Sequence, residues 1–207
     1  MTFWQTFIEV IIKPLSAFQH FREDDQAARK GLLVLLLVLG VYTLILVIFI
    51  ISDYPAMAPS ILPIATENLY RYQVWYQGPL FIAATLLLTG LLKLLTQVNG
   101  QAESFAIIFA RVSFATTVPF ALTTMVVELV IAILVLAGVC QPQEILGWLT
   151  GEGALFANAY QLAGILWMIG LLAVTAKQTV GVRWWPGILL GVVLASIYGV
   201  PIGLFIR

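Results

Sequence analysis

The stretch Lys93-Leu-Leu-Thr-Gln-Val-Asn-Gly-Gln-Ala-Glu-Ser-Phe-Ala-Ile-Ile-Phe-Ala-Arg111, continued by Val-Ser-Phe-Ala-Thr-Thr-Val-Pro119 and an apolar run broken by Glu128, decides the fold. An apolar segment ends, a polar turn holding Gly100 follows, an amphipathic piece comes next, and Pro119 leads into further apolar sequence. Residues 103–117 place apolar side chains at 105, 108, 109 and 112, the spacing of one helix face, with Arg111 off that stripe. From Phe105 to Gly138 the chain is apolar-rich for about 34 residues, too long for one ordinary span of about 20 and too short for two. Pro119 resolves this: the pattern predicts an interfacial helix over 103–117 and a span over about 119–139.

The rest of the chain supports a membrane setting. Of 207 residues, 61% are hydrophobic and 10% charged, against about 25% charged in soluble domains. Ten basic and ten acidic residues cancel, which gives no electrostatic reason for nucleic-acid binding. Cys140 is the one cysteine and His20 the one histidine, so neither a disulfide framework nor a catalytic or metal-binding constellation is expected. The sequence contains no HExxH motif and no phosphate-binding glycine loop. The expectation is a protein without enzymatic activity, cofactor or metal.

Outward from the central stretch, the chain reads as all-α, with five membrane spans and interfacial helices. Residues 1–13 put Phe3, Phe7, Val10 and Ile11 at helical spacing, a segment too short to span that suits the interface or the end of a bundle. Pro14 ends it, and the charges of Arg22-Glu-Asp-Asp25 read as a solvated face. A cytoplasmic interfacial segment therefore covers residues 1–30, followed by a membrane domain over 31–207. Residues 31–51 form an uncharged span, about 31 Å as a helix. Residues 52–78 read as a loop with prolines at 55, 59 and 63, and the Tyr- and Trp-rich part near 67–76 favours the membrane boundary. The later spans fall at about 79–95, 155–175 and 186–206, with an exposed loop over 140–154.

Three places in this order resemble the Yip-one family, the Ypt/Rab-interacting-protein type of five-span membrane protein, in its compact prokaryotic-like form. Residues 11–18, Ile-Ile-Lys-Pro-Leu-Ser-Ala-Phe, resemble its entry motif; residues 91–119 resemble its central block; residues 162–183 resemble its fourth span and short basic turn. Asn99-Gly100-Gln101 departs from a central turn that often carries a second glycine and a lysine. The resemblance implies a five-helix membrane domain with a cytoplasmic N-terminus and a scaffold or adaptor role in membrane organisation or trafficking. Eukaryotic members act in ER–Golgi traffic and are linked to Rab-type GTPases through a long cytoplasmic region. With about 30 residues before the first span, GTPase binding is not expected here. The compact form implies a bacterial inner membrane, with a eukaryotic ER or Golgi membrane as the alternative.

Several residues stand out as candidates. Lys93 and Arg111 lie near the inner boundary, where they either snorkel or flank a lipid headgroup. Gly187, Gly191, Ala195, Gly199 and Gly203 recur every fourth residue, a stripe that packs within the bundle or forms a face for a homo-oligomer or partner membrane protein. Glu128 lies nine residues past Pro119, about 14 Å along a helix and near the middle of a core about 30 Å thick. Counting depth from each inner end brings Tyr42, Thr89, Trp167 and Ser196 near its level, so a buried polar cluster around Glu128 is predicted. Such a cluster ties helices together or serves a small transporter or channel subunit for protons, ions or lipid.

With the N-terminus inside, inner segments hold Lys13, Arg22, Arg29, Lys30, Lys93, Arg111, Lys177 and Arg183, and outer segments hold Arg71 and Arg207. This asymmetry predicts N-inside, C-outside topology. In a chain lacking Cys140, an impermeant thiol reagent added outside should label Ser60→Cys and spare Gln26→Cys; the reverse pattern would overturn the orientation.

Overall fold

The computed structural model describes residues 1–55 and 68–205. Much of the loop predicted over 52–78, with Pro59, Pro63 and the labelling position Ser60, lies outside the described residues, as do Ile206 and Arg207. The protein is all-α and polytopic. Two short helices, α1 (Phe3–Ile12) and α2 (Pro14–His20), precede α3 (Ala27–Ile51) and α4 (Leu69–Val98). Next come α5 (Phe105–Phe120), a π-helical turn (Ala121–Met125) and α6 (Val126–Leu136), which form one continuous rod. A short α7 (Pro142–Thr150) leads to α8 (Ala154–Val180) and α9 (Trp184–Phe205). Five of these units are long and apolar enough to cross a bilayer: α3, α4, the α5–α6 rod, α8 and α9.

Thr2 starts α1 with a capping box, its side chain accepting from the Gln5 N–H while Gln5 accepts from the Thr2 N–H. Pro14 then opens α2 at a position that needs no N–H. The two helices lie across one end of the bundle. Phe3 and Phe21 pack on Phe114 of α5, at ring-centroid separations of 6.2 and 5.5 Å. Phe3, Phe7 and Ile11 face the core, whereas Trp4, Ile8 and Ile12 are exposed. An apolar face turned away from the bundle on a helix at its end suits the interface, so α1 has the features of both predicted settings.

Three sequence boundaries are corrected. The second span does not start at 79: α4 begins at Leu69 and passes through Pro79. The third does not start at Pro119, because that proline also lies inside a helix. Neighbouring helices and hydroxyl side chains satisfy the backbone groups that a proline frees in a membrane helix. The loop expected over 140–154 contains α7, opened by Pro142 at its first turn and by the Glu144 carboxylate accepting from the Gln141 N–H at 3.0 Å. The first, fourth and fifth spans extend slightly beyond or shift from their expected limits, to Ala27–Ile51, Ala154–Val180 and Trp184–Phe205.

The segment expected at the interface is instead the centre of the molecule. Every side chain from Ala110 to Pro119 is buried. Helix α5 is walled by α1, α3, α4 and α8, and a helix apolar all round is stable only when so enclosed. Small residues permit the close approach: a Cβ on Gly31 of α3 would lie 2.8 Å from the Ala110 Cα.

A charge network fixes the end of this packing. Arg111 is fully buried; its Nε donates to the Phe18 carbonyl at 2.8 Å, and its Nη1 donates to Glu103 Oε2 at 2.9 Å and Thr179 Oγ1 at 3.2 Å. Arg22 binds both Glu103 oxygens, each at 3.0 Å, and the Gln178 carbonyl at 2.9 Å. Lys93 Nζ donates to the Glu103 carbonyl at 2.6 Å. Lys30 pairs with Asp24 in the same N-terminal region. The charge run at 22–25 is therefore not simply a solvated face, since Arg22 and Asp24 are engaged in the packing. Burial pushes the Glu103 carboxyl up, but hydrogen bonds and charge from Arg22 and Arg111 outweigh it and hold the group below its ordinary value of 4.5.

That depression gives a sign. The Glu103 contribution is present above the unfolded value of 4.5 and lost as pH falls through the lower folded value. Glu103→Gln strands the buried Arg111 charge and should cost about 3–5 kcal/mol at neutral pH. Thermal unfolding in detergent should show the parent losing its advantage over Glu103→Gln on acidification. A constant gap from neutral to acid pH would refute the assignment.

Candidate functional site

The candidate site begins with the local chemistry of Pro119. Its ring removes an N–H from the helix, and directly after it the helix widens into the π-helical turn, where the Val126 N–H reaches back to the Ala121 carbonyl. Hydroxyls bond the backbone along this segment: Thr117 Oγ1 to the Ser113 carbonyl at 2.5 Å and Thr123 Oγ1 to the Pro119 carbonyl at 2.7 Å. From α8, the Tyr160 hydroxyl donates to the Leu122 carbonyl at 2.7 Å. A π turn inside an α-helix often marks a functional site, since it changes the direction of the side chains beyond it.

Beyond this turn lies α6, which packs mainly on α3, whereas α8 and α9 stay packed on each other. The divergence leaves a groove of about 1190 Å³ between α6 on one side and α8 and α9 on the other, with α7 at its rim. Its walls are largely apolar and aromatic, including Phe49, Phe120, Ile131, Phe156 and Met168.

Glu128 opens onto this groove. It lies eight residues before Leu136, the end of α6, about 12 Å along the axis. Counted along the rod from Phe105, Glu128 lies about midway between the rod's centre and its α6 end. The Tyr42 hydroxyl of α3 lies beside its carboxyl, and Gln73 Nε2 of α4 donates to that hydroxyl at 3.4 Å. The carboxyl oxygen Oε2 is buried and has no hydrogen-bond partner among the described residues.

Tyr42, Glu128 and Ser196 line one groove. Ser196 bonds back to the Val192 carbonyl of its own helix at 2.9 Å. Thr89 and Trp167 do not join them. Thr89 is buried and bonds the Thr85 carbonyl at 2.7 Å, and Trp167 packs half-buried against the core. Counting residues gives height along a helix but not direction around it. Gln73 and Tyr160 went unrecognised: Gln73 lies in the aromatic-rich stretch read as loop, and Tyr160 acts on a carbonyl whose position depends on the π turn.

Of the two predicted headgroup contacts, Arg111 is corrected by its burial and partners. Arg111 is enclosed by α2, α8 and Glu103, so its guanidinium does not reach lipid. Lys93 is half-buried with its ammonium on the Glu103 carbonyl. No group of three or more His, Cys, Asp or Glu able to hold a metal ion occurs among the described residues.

The small-residue stripe of α9 divides in two. Gly187, Gly191 and Ala195 are buried, and a Cβ on Gly191 would lie 2.8 Å from both the Ala173 nitrogen and the Ile169 oxygen of α8. The lower half therefore packs inside the bundle. Ala195, Gly199 and Gly203 line the groove; a Cβ on Gly199 comes no nearer than 3.9 Å to Met168 Cε, and one on Gly203 meets nothing within 4 Å.

No family model, curated protein or solved structure matches the chain.

The division of the stripe predicts opposite results from one substitution. Gly191→Leu forces α8 and α9 apart and should lower stability by about 1–3 kcal/mol or more. Gly199→Leu projects into open groove and should leave the melting temperature within a few degrees of the parent, helped by the better helix propensity of leucine. Equal losses in both variants, measured by thermal unfolding of the detergent-solubilised protein, would contradict this packing.

Proposed function

We propose that this is a non-catalytic integral membrane protein of the Yip type whose groove takes an amphiphile from the surrounding bilayer and holds or carries it. The groove itself supports the reading. Its volume of about 1190 Å³ is slightly above the range of about 300–1,000 Å³ usual for small-molecule pockets. Its walls are largely apolar, and Glu128, Tyr42 and Ser196 are among the polar groups that line it. An apolar body with one polar end matches that distribution. The route for entry is the side of α6 that α8 and α9 leave uncovered.

Arg22, Lys93, Glu103 and Arg111 meet at the end of the bundle covered by α1 and α2. In this reading that end faces the cytoplasm of a bacterial cell, following the positive-inside bias. A scaffold or adaptor role is the second reading. It is favoured by the exposed stripe Trp4, Ile8, Ile12 and Leu15, which would seat α1 and α2 in one leaflet as a fixed platform for a partner.

The experiment is native mass spectrometry of protein released gently from its own membranes. A bound amphiphile is expected on the parent and absent from folded Gly199→Leu, whose side chain occupies the groove. The same adduct at the same occupancy on both proteins would overturn the groove reading.

A further inference from the structure

Resting on the groove reading, we infer that the amphiphile the site selects is cationic: an alkyl amine whose ammonium sits on Glu128 and whose chain lies along the apolar wall.

Charge complementarity carries this. Glu128 and Glu144 are the ionisable acidic groups lining the groove, and neither Lys nor Arg lines it among the described residues. Glu144 lies on α7 at the rim, with its carboxylate on the Gln141 N–H. Glu128 is the acid inside. The basic residues Arg22, Lys93 and Arg111 are committed to Glu103 at the opposite end of the rod. Arg111 precedes Glu128 by 17 residues on the same rod, about 26 Å, so it provides no local counter-charge. A carboxylate within apolar walls is costly unless paired, and an arriving cation supplies the missing pair.

Hydrogen-bond capacity points the same way. An ionised carboxyl accepts at about four lone-pair positions. Tyr42 lies beside the Glu128 carboxyl, whose buried Oε2 has no donor among the described residues. An ammonium brings three donors. Tyr42, Tyr70, Trp148, Phe156 and Tyr198 give the groove aromatic surfaces that favour a cation over a neutral or anionic head. A fatty-acid carboxylate or a phosphate head would instead meet Glu128 with like charge.

The test uses the full chain in phosphatidylcholine nanodiscs, with protein-free discs subtracted, and radiolabelled dodecylamine, dodecanol and dodecanoate as probes. Dodecylamine should bind saturably and at least tenfold more tightly than the other two. Glu128→Gln should lower amine affinity to the level of dodecanol. Glu128→Asp, which keeps the charge but withdraws it, should fall between. Melting temperatures establish that each variant is folded; if Glu128→Gln does not fold, Glu128→Asp carries the comparison, and amine affinity unchanged in it overturns the assignment. Equal binding of amine and alcohol to the parent overturns the cation preference and leaves the groove reading standing. Absence of saturable binding by every probe, or amine binding that persists in Gly199→Leu, overturns both.

Discussion

A guanidinium shut off from water is the constraint on which the packing depends. Arg111 is fully buried, and a charge so placed must find its partners within the protein. Its partners come from three places in the chain, Phe18 in α2, Glu103 before α5 and Thr179 at the end of α8, and Arg22 joins through the shared Glu103. Satisfying one side chain therefore sets the height of the N-terminal helices, the central rod and the fourth span relative to one another. Such a pair does not need to add net stability to be decisive. Sliding any of these segments by a turn would leave a buried charge or carbonyl without its partner, and that penalty selects the register.

The same rod is loosened past Pro119. Below the proline it is enclosed by α1, α3, α4 and α8; above it, α6 rests mainly on α3. The π turn widens the helix where the proline has already removed a backbone donor, and the hydroxyls of Thr117, Thr123 and Tyr160 bond carbonyls along it. Gly164 of α8 meets this turn so closely that a Cβ there would fall 2.2 Å from Thr123 Oγ1. Contact at the turn and separation beyond it are thus one feature. The helices touch at Thr123 and part above it, and the groove is the space between them.

Much of this was legible in the sequence, and the failures share a cause. Composition and run length gave five spans and an all-α membrane protein, because the cost of unpaired backbone in lipid leaves few alternatives. A lone acid in an apolar run pointed inward to Tyr42 for the same energetic reason. Pro79 and Pro119 misled because a proline is a strong break in water but is tolerated in a packed membrane helix. Arg111 misled because its position off an apolar stripe suggests exposure, whereas the other side of this helix is also covered. Its partners at positions 18, 22 and 179 are fixed by tertiary packing, which no local spacing encodes. Thr89 and Trp167 fell outside the groove because depth was readable and azimuth was not.

The rod carries two buried charge-bearing groups, and their surroundings argue for different duties. Arg111 meets a carboxylate, a carbonyl and a hydroxyl on segments already packed together, and its buried Nη2, which lacks a partner among the described residues, faces no groove. Glu128 meets Tyr42 on one side and open groove on the other, with Oε2 lacking a donor among the described residues. If the acid served packing alone, a second donor from α8 or α9 would satisfy it and draw α6 in, as Tyr160 draws α8 to Leu122 nearer the proline. The helices instead separate at this height, and the incomplete shell faces the space they leave. A group enclosed by an opposite charge and packed segments holds a structure together; a group facing a cavity with no opposing charge among the described residues is arranged to receive a partner from outside the chain.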